Sequence, residues 1–328
     1  MQSLPPYVSK LLKDTLRRYP DMPIKTLARY LVRTHLNEVG GDIERVRRQL
    51  RYYTGTSGED HRNFAKEKEL FRTEAVKLPQ SRAEARTAYD LPIGLWLILS
   101  DLHCPMHVVK AVESAVDWGK RNKVNGVLLN GDFQDCGEVA FWPGRKIDFE
   151  DEVEITLDTL DWLCKEFKGK RIIWKPGNHE DRLENYYNSH APAIADMPHA
   201  GLEICLGLES RGITYLERKQ MVMAGRLPIF HGNEFRGGNL SVNPARWLYL
   251  KAKASSACAH FHRTSEHTEV DVNDKMITCW SFGCLSDLRP DYNPFGSSWN
   301  HGFALVDIGK DGRFEVENRR ILSTGKVV

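Results

Sequence analysis

An α/β chain with a small all-α segment in front is predicted by three observations. From Leu91 onward, short apolar runs of strand length alternate with stretches of helical period. Each run breaks into polar and glycine residues at its carboxyl end, as strands feeding loops at a sheet edge do. Residues 1–86, by contrast, are helical in period and basic, with 18 Lys or Arg against 11 Asp or Glu, although the 328-residue chain carries a net charge of only +2.

The front segment reads as three short helices. Pro5 and Pro6 precede an amphipathic stretch built on Val8, Leu11, Leu12 and Leu16. Pro23 opens a second with Ile24, Leu27, Leu31 and Val32, and Gly40-Gly41-Asp42 supplies a stop and an N-cap for a third. In that third helix Ile43, Val46 and Leu50 share one face while Arg45, Arg47, Arg48 and Arg51 populate the rest, and Gly55 ends it. Two readings stand side by side: a helix-turn-helix whose last helix sets these four arginines against nucleic acid, or a partner-docking bundle with a solvated basic face. Residues 1–56 are assigned to this helical domain and the highly charged residues 57–90 to a linker, leaving 91–328 as the main domain.

In the main domain LWLILS ends at Asp101, VNGVLLN at Gly131-Asp132, RIIWKPGN at Asn178, LPIF at His231 and SSACA at His260. PMHVVKAVESAVDWGKRN and EDEVEITLDTLDWLCKEFK, of helical period, separate the first three, so parallel or mixed sheet layers covered by helices are expected. Phe303 to Ile321, around GKDG, reads as an antiparallel hairpin.

Composition excludes several classes. The longest apolar run, Leu95–Leu99, is far short of the ~20 residues a membrane helix needs, and the amino terminus lacks the apolar region of a signal peptide, so a cytoplasmic protein is expected. Seven cysteines at irregular spacings, with no C-x-x-C, argue against a disulfide framework and a thiolate zinc site.

Functional groups of an open α/β sheet lie outside the carboxyl ends of its strands. There this chain places Asp101 and His103, Asp132 and Asp135, Asn178 and His179, His231, and His260 and His262. All are oxygen or imidazole groups able to bind a metal, and no cysteine is among them. Singly each is unremarkable; five separate segments ending alike point to one shared site.

As a set, D-L-H (Asp101 to His103), G-D-F-Q-D (Gly131 to Asp135), G-N-H-E (Gly177 to Glu180), H-G-N (His231 to Asn233) and A-H-F-H (Ala259 to His262) resemble the five motifs of the calcineurin-like metallophosphoesterase superfamily. The resemblance implies a four-layer α-β-β-α sandwich and a di-metal phosphoesterase. Asp101, His103 and His262 would hold one divalent cation and Asn178, His231 and His260 the other, with the Asp132 carboxylate bridging. Two such ions repel and need an anion between them, and their joint field would make a bridging hydroxide available near neutral pH. The resemblance makes His179 the group facing the substrate, where it would stabilise the developing charge or protonate the leaving oxygen; Asp135 is the candidate carboxylate that orients it, and Arg182 faces either a carboxylate or the substrate phosphate, the phosphate being favoured. Glu180 and Asp181 read as local structure opening the helix DRLENYYN. The all-O/N donor set suits manganese, with iron or zinc as alternatives.

Two departures refine the resemblance. Ala259 stands where the fifth motif begins with Gly, which is tolerable if its φ is not left-handed. Cys136 stands where serine/threonine protein phosphatases carry Arg, which disfavours that branch, while H-G-N followed by the His-x-His pair looks more like the nuclease and phosphodiesterase branches, double-strand-break repair nucleases included. The motifs do not identify the substrate; the arginine cluster at 45–51 makes nucleic acid, DNA above all, or a nucleotide the first expectation. The alternatives are a small phosphomonoester or cyclic nucleotide, or a non-catalytic binding module. His107 and His301 stand as possible cleft residues against surface or core use; Trp280, Phe282, Trp299 and Phe303 as base-stacking rings against core packing; and Lys251 and Lys253 as phosphate contacts against solvated lysines.

Overall fold

Alternating faces of a handful of strands generate the architecture. The structure, a computed structural model, describes residues 5–55, 80–81, 83, 87–141, 147–195, 197, 200–235, 242–291, 294 and 298–328. The chain divides into two units, Met1–Glu84 and Ala85–Val328. Most of the charged segment 57–90 lies outside the described residues.

The first unit consists of α1 (Pro6–Arg18), α2 (Ile24–Thr34), a single turn α3 (Leu36–Val39) and α4 (Ile43–Tyr53). Val8, Leu12, Leu16, Leu27, Leu31, Val46 and Leu50 close one buried cluster, as their three- and four-residue spacing requires. Asp42 caps α4 by accepting the Arg45 N–H at 3.0 Å. The added turn α3 was not expected: Gly40, at φ +76°, stops it after one turn. Arg45, Arg48 and Arg51 are exposed on α4, whereas Arg47 is half-buried and bonded to Glu44 at 3.1 Å.

The second unit holds two six-stranded sheets. One runs β12-β11-β2-β3-β4-β5, with β2 (Gly94–Leu99), β3 (Gly126–Asn130), β4 (Arg171–Lys175) and β5 (Ile213–Tyr215) parallel and the hairpin β11 (Gly302–Ile308) and β12 (Phe314–Arg320) antiparallel beside β2. The other runs β1-β6-β7-β8-β10-β9, from β1 (Tyr89–Asp90), β6 (Val222–Ala224), β7 (Leu227–Ile229), β8 (Ser256–Cys258), β9 (Ser265–Val270) and β10 (Met276–Ser281). β1 pairs with Val222 and Met223, so the sheet begins two residues before Leu91.

Period-two alternation assigns the layers. Trp96, Ile98, Leu128 and Ile173 of the first sheet meet Val222, Leu227, Ile229 and Ala257 of the second in a fully apolar seam. Leu97, Leu99, Val127, Leu129 and Trp174 point the other way, into a core shared with α5 (Val109–Arg121) and α6 (Phe149–Glu166). On the far side of the second sheet, Cys258 and Cys279 pack on Ala245 and Leu248 of α10 (Pro244–Ala252), the last of ten helices after α7 (Asp181–His190), α8 (Pro192–Ala195) and α9 (Leu202–Cys205) among the described residues. The order is helix, sheet, sheet, helix. Among the described residues no helix is long and apolar enough to cross a membrane.

Candidate metal centre

Because β2, β3 and β4 are parallel, their carboxyl ends share one edge, and β7 and β8, parallel to each other, deliver His231 and His260 to the same place. Three groups of potential ligands form there, each with donor atoms within 4.8 Å of one another: Asp101, His103 and His262; His103, Asp132 and His179; and Asp132, His231 and His260. His262 Nε2 lies 3.2 Å from Asp101 Oδ1 and 3.2 Å from His103 Nε2. His231 Nε2 lies 3.1 Å from Asp132 Oδ2, with His179 Nε2 at 3.8 Å and His103 Nε2 at 3.9 Å from the same oxygen.

The backbone there is strained. Asp101 (φ +53°), His103 (+51°), Asp132 (+52°), His260 (+66°) and His262 (+54°) are all left-handed, a conformation costing a non-glycine residue on the order of 1–3 kcal/mol. Bonds between loops hold it: Asp101 N–H to Gly131 O at 3.0 Å, His103 N–H to Asp132 O at 2.9 Å, and Asn300 N–H to His262 O at 2.9 Å. Gly177 is required by proximity, since a Cβ there would sit 2.3 Å from Asp132 Oδ1 and 2.9 Å from His231 Nε2. Ala259 is not among the positive-φ residues, so its methyl is accommodated.

Buried charge sets the protonation. Burial alone would raise Asp132, but His231 and then His179 overcome it and hold the carboxyl well below its usual range. For His231 burial opposes the proton while Asp132 holds it, and the outcome is a pKa of about 10; Asp101 likewise lifts His262 to about 10. His260, lowered by burial and by His231, falls to about 4. Protons thus balance the carboxylates of the metal-free chain, and cations would displace them.

The residues fit a pair of divalent cations. Asp101 Oδ1, Asn178 Oδ1, His231 Nε2 and His260 Nδ1 are buried without a hydrogen-bond partner, and buried polar atoms are seldom left so. His231 Nε2 and Asp132 Oδ2 approach to 3.1 Å, and the proton held between them stands where a cation would. The outer nitrogens are tied as ligand histidines require: His231 Nδ1 donates to Asn130 O at 2.8 Å, and His103 Nδ1 to Asp135 Oδ1 at 2.9 Å.

Asp135 sits at the centre of a second set. Its Oδ1 also accepts from His179 Nδ1 at 2.9 Å, and Arg182 Nη1 donates to its backbone O at 2.8 Å. Arg182 Nη2 lies 2.9 Å from His179 Nε2, so that nitrogen accepts and Nδ1 carries the ring proton. His103 and His179 therefore share one orienting carboxylate, which the expected pairing of Asp135 with His179 alone did not include.

Glu180 corrects its expected local role. Its buried carboxylate accepts the N–H groups of Asp132 (3.0 Å), Phe133 (2.7 Å), Gln134 (3.1 Å) and Gly177 (2.7 Å), joining two motif loops. Burial and then Asp132 push it up to about 7. Asp181, by contrast, opens α7 and pairs with Arg218 at 2.7 Å. Three supports escaped sequence reading. Glu152 accepts from Gln134 Nε2 and the N–H groups of Cys136 and Gly137. Glu234 accepts from the N–H groups of His231 and Gly232. Fully buried Lys175 donates to Glu234 at 2.6 Å. A lysine closing the apolar run RIIWK was the available signal.

Among the remaining candidates, Phe282 and Phe303 are fully buried core, and Trp280 packs edge-on against Phe314. His301 Nε2 bonds Ser286 O at 3.0 Å, and His107 bridges to Ser286 through the backbone. Lys251 and Lys253 lie over Trp247 and Tyr249.

A double-sheet sandwich that gathers buried and half-buried Asp, Asn and His at the carboxyl ends of its strands defines the metallophosphoesterase class. The chain belongs to the calcineurin-like phosphoesterase family, whose sequence profile matches residues 96–269 and so spans all five motifs. No curated protein matches it. Solved structures similar to it include Vps29 from Chaetomium thermophilum, 14% identical over 71% of this chain and 94% of its own, with a TM-score of 0.37. YfcE, a phosphoesterase from E. coli, is 14% identical over 68% of this chain and 98% of its own (TM-score 0.34). A dimetal phosphatase from Danio rerio is 13% identical over 70% and 96% (TM-score 0.36).

Proposed function

We propose that this chain is a di-metal-dependent phosphodiesterase acting on nucleic acid or nucleotides. The observation that carries the reading is Asp132, which belongs to two separate donor groups, one with His231 and His260 and one with His103 and His179, as a carboxylate between two cations must. Asp101, His103 and His262 would hold one cation, Asn178, His231 and His260 the other, with Asp132 shared between them. Manganese suits this O/N set, then iron or zinc. When bound, the cations neutralise charge on the phosphate oxygens and acidify a water molecule.

The chain's own groups do the rest. Asp135 fixes the ring of His179 so that Nε2 faces the cluster; with Arg182 drawn to the phosphate, that nitrogen can take a proton from the attacking water and pass it to the leaving oxygen. Arg182, beside that nitrogen, brings a permanent positive charge to the phosphate. The exposed arginines of α4 support nucleic acid as substrate, by attracting phosphate backbone. Seven cysteines outside any disulfide among the described residues fit a reducing, cytoplasmic setting.

The test is to load the full chain with manganese and assay mono- and diester substrates, then single- and double-stranded DNA and RNA, at fixed salt. Diester and nucleic-acid hydrolysis is expected. Hydrolysis confined to small phosphomonoesters would transfer the reading to a small-molecule phosphatase with a docking bundle, and no hydrolysis at all would overturn it in favour of a binding module.

A further inference from the structure

Aromatic rings of two kinds border the cluster. Phe261, between the paired histidines, belongs to a ladder: its ring lies 4.9 Å from Trp247, which lies 5.9 Å from Phe235, itself 4.8 Å from Phe230. These residues pack with α10 on the far face of the second sheet, and that packing accounts for them.

Trp299 is different. It comes from the connection between β10 and β11, and its ring centroid is 4.1 Å from that of His262, tilted by 58°. His262 presents Nε2 to Asp101 and His103, so the indole stands one imidazole away from the donor atoms. It is only half-buried, unlike Phe282 and Phe303, which are fully buried at either end of the same connection. A half-buried indole against a candidate ligand ring brings apolar, π-rich surface beside a site otherwise built of Asp, Asn and His.

We infer that Trp299 is a stacking platform for an unpaired nucleobase attached to the phosphate held at the cluster. The inference rests on the phosphodiesterase reading and narrows its substrate to units with an open base face: a nucleotide, or a single-stranded stretch or end of a nucleic acid. In a duplex both faces of each base are covered by neighbours, and a base must leave the stack to reach such a ring. Stacking is tolerant of base identity, so recognition here selects unpaired bases rather than a sequence.

Binding, not turnover, tests this. AMP and ribose 5-phosphate are titrated into the manganese-loaded full chain, in the wild type, Trp299→Leu and Trp299→Phe, and the ratio of the two affinities is read. A wild-type preference for AMP of about 10-fold is expected, from the energy of one base–aromatic stack. It should fall toward one in Trp299→Leu and return in Trp299→Phe. A preference surviving in Trp299→Leu, or no preference in the wild type, overturns the inference. A single-stranded oligonucleotide and its abasic counterpart, titrated in the same way, tell a strand from a free nucleotide. The two small ligands are supplied as non-hydrolysable methylene phosphonates and the oligonucleotides with phosphorothioate linkages, so these titrations read binding without cleavage and stand apart from the phosphodiesterase reading, which fails separately if the wild type hydrolyses nothing.

Discussion

Glu180 accepts the backbone N–H of Asp132 at 3.0 Å, so the last residue of G-N-H-E sets the position of the carboxylate common to two donor groups. The same side chain takes the N–H of Gly177, tying the two loops together. Glu180→Ala leaves four buried donors unpaired. It should cost about 1–3 kcal/mol for each that finds no water and lower metal affinity by roughly 10–100-fold, as loss of an outer-shell partner does. Urea unfolding and calorimetric metal titration measure the two effects; an unchanged metal affinity would remove Glu180 from the site.

Asp132 and Asp135 separate by role. Asp132→Asn should abolish the binding of one manganese ion and depress hydrolysis more than Asp135→Asn, whose loss acts through His103 and His179 and should cost roughly 10–100-fold. Metal stoichiometry from elemental analysis distinguishes them, with Asp135→Asn retaining two ions. Equal stoichiometry in the two variants would contradict the shared-carboxylate assignment.

The metal-free chain should lose stability as pH rises from 6.5 to about 10. His231 and His262 are both raised from 6.5 to about 10, so the stability their protons contribute is complete below pH 6.5 and disappears as pH climbs through 10. His260, lowered to about 4, acts oppositely, and its contribution fades as pH falls from 6.5 toward 4. Melting of the chelated protein across this range should show the decline, and manganese should flatten it because cations replace the protons. A level profile in chelator is the contrary result.

If α4 meets nucleic acid, changing Arg45, Arg48 and Arg51 to Ala should weaken binding across all sequences and flatten log K against log salt by about two to three units. Fluorescence anisotropy at several salt concentrations reads the slope. Arg47, engaged with Glu44, should contribute less. An unchanged slope would assign the helices to protein docking.

Much of this was legible in the chain because period and punctuation are local. The strand-length runs before Asp101, Asp132, Asn178, His231 and His260 became β2, β3, β4, β7 and β8, and the Asp42 cap and GKDG hairpin also formed where composition placed them. The donor residue types were legible for the same reason, since strand ends carry the groups that loops must present. What remained hidden was long-range. The pairing of Glu180 with residues 132 to 134, of Lys175 with Glu234 and of Trp299 with His262 joins positions 37 to 59 residues apart, and no local period encodes such contacts.

Sequence alone therefore determined which residues end the strands and what chemistry they bring. The tertiary structure decided that one carboxylate, Asp135, orients two histidines, which glutamate hangs the loops, and that five residues take left-handed backbone to aim their side chains inward. The physical reason is that donor type is a property of one residue, while convergence depends on two sheets packing face to face and on hydrogen bonds between loops that meet only once that packing has occurred.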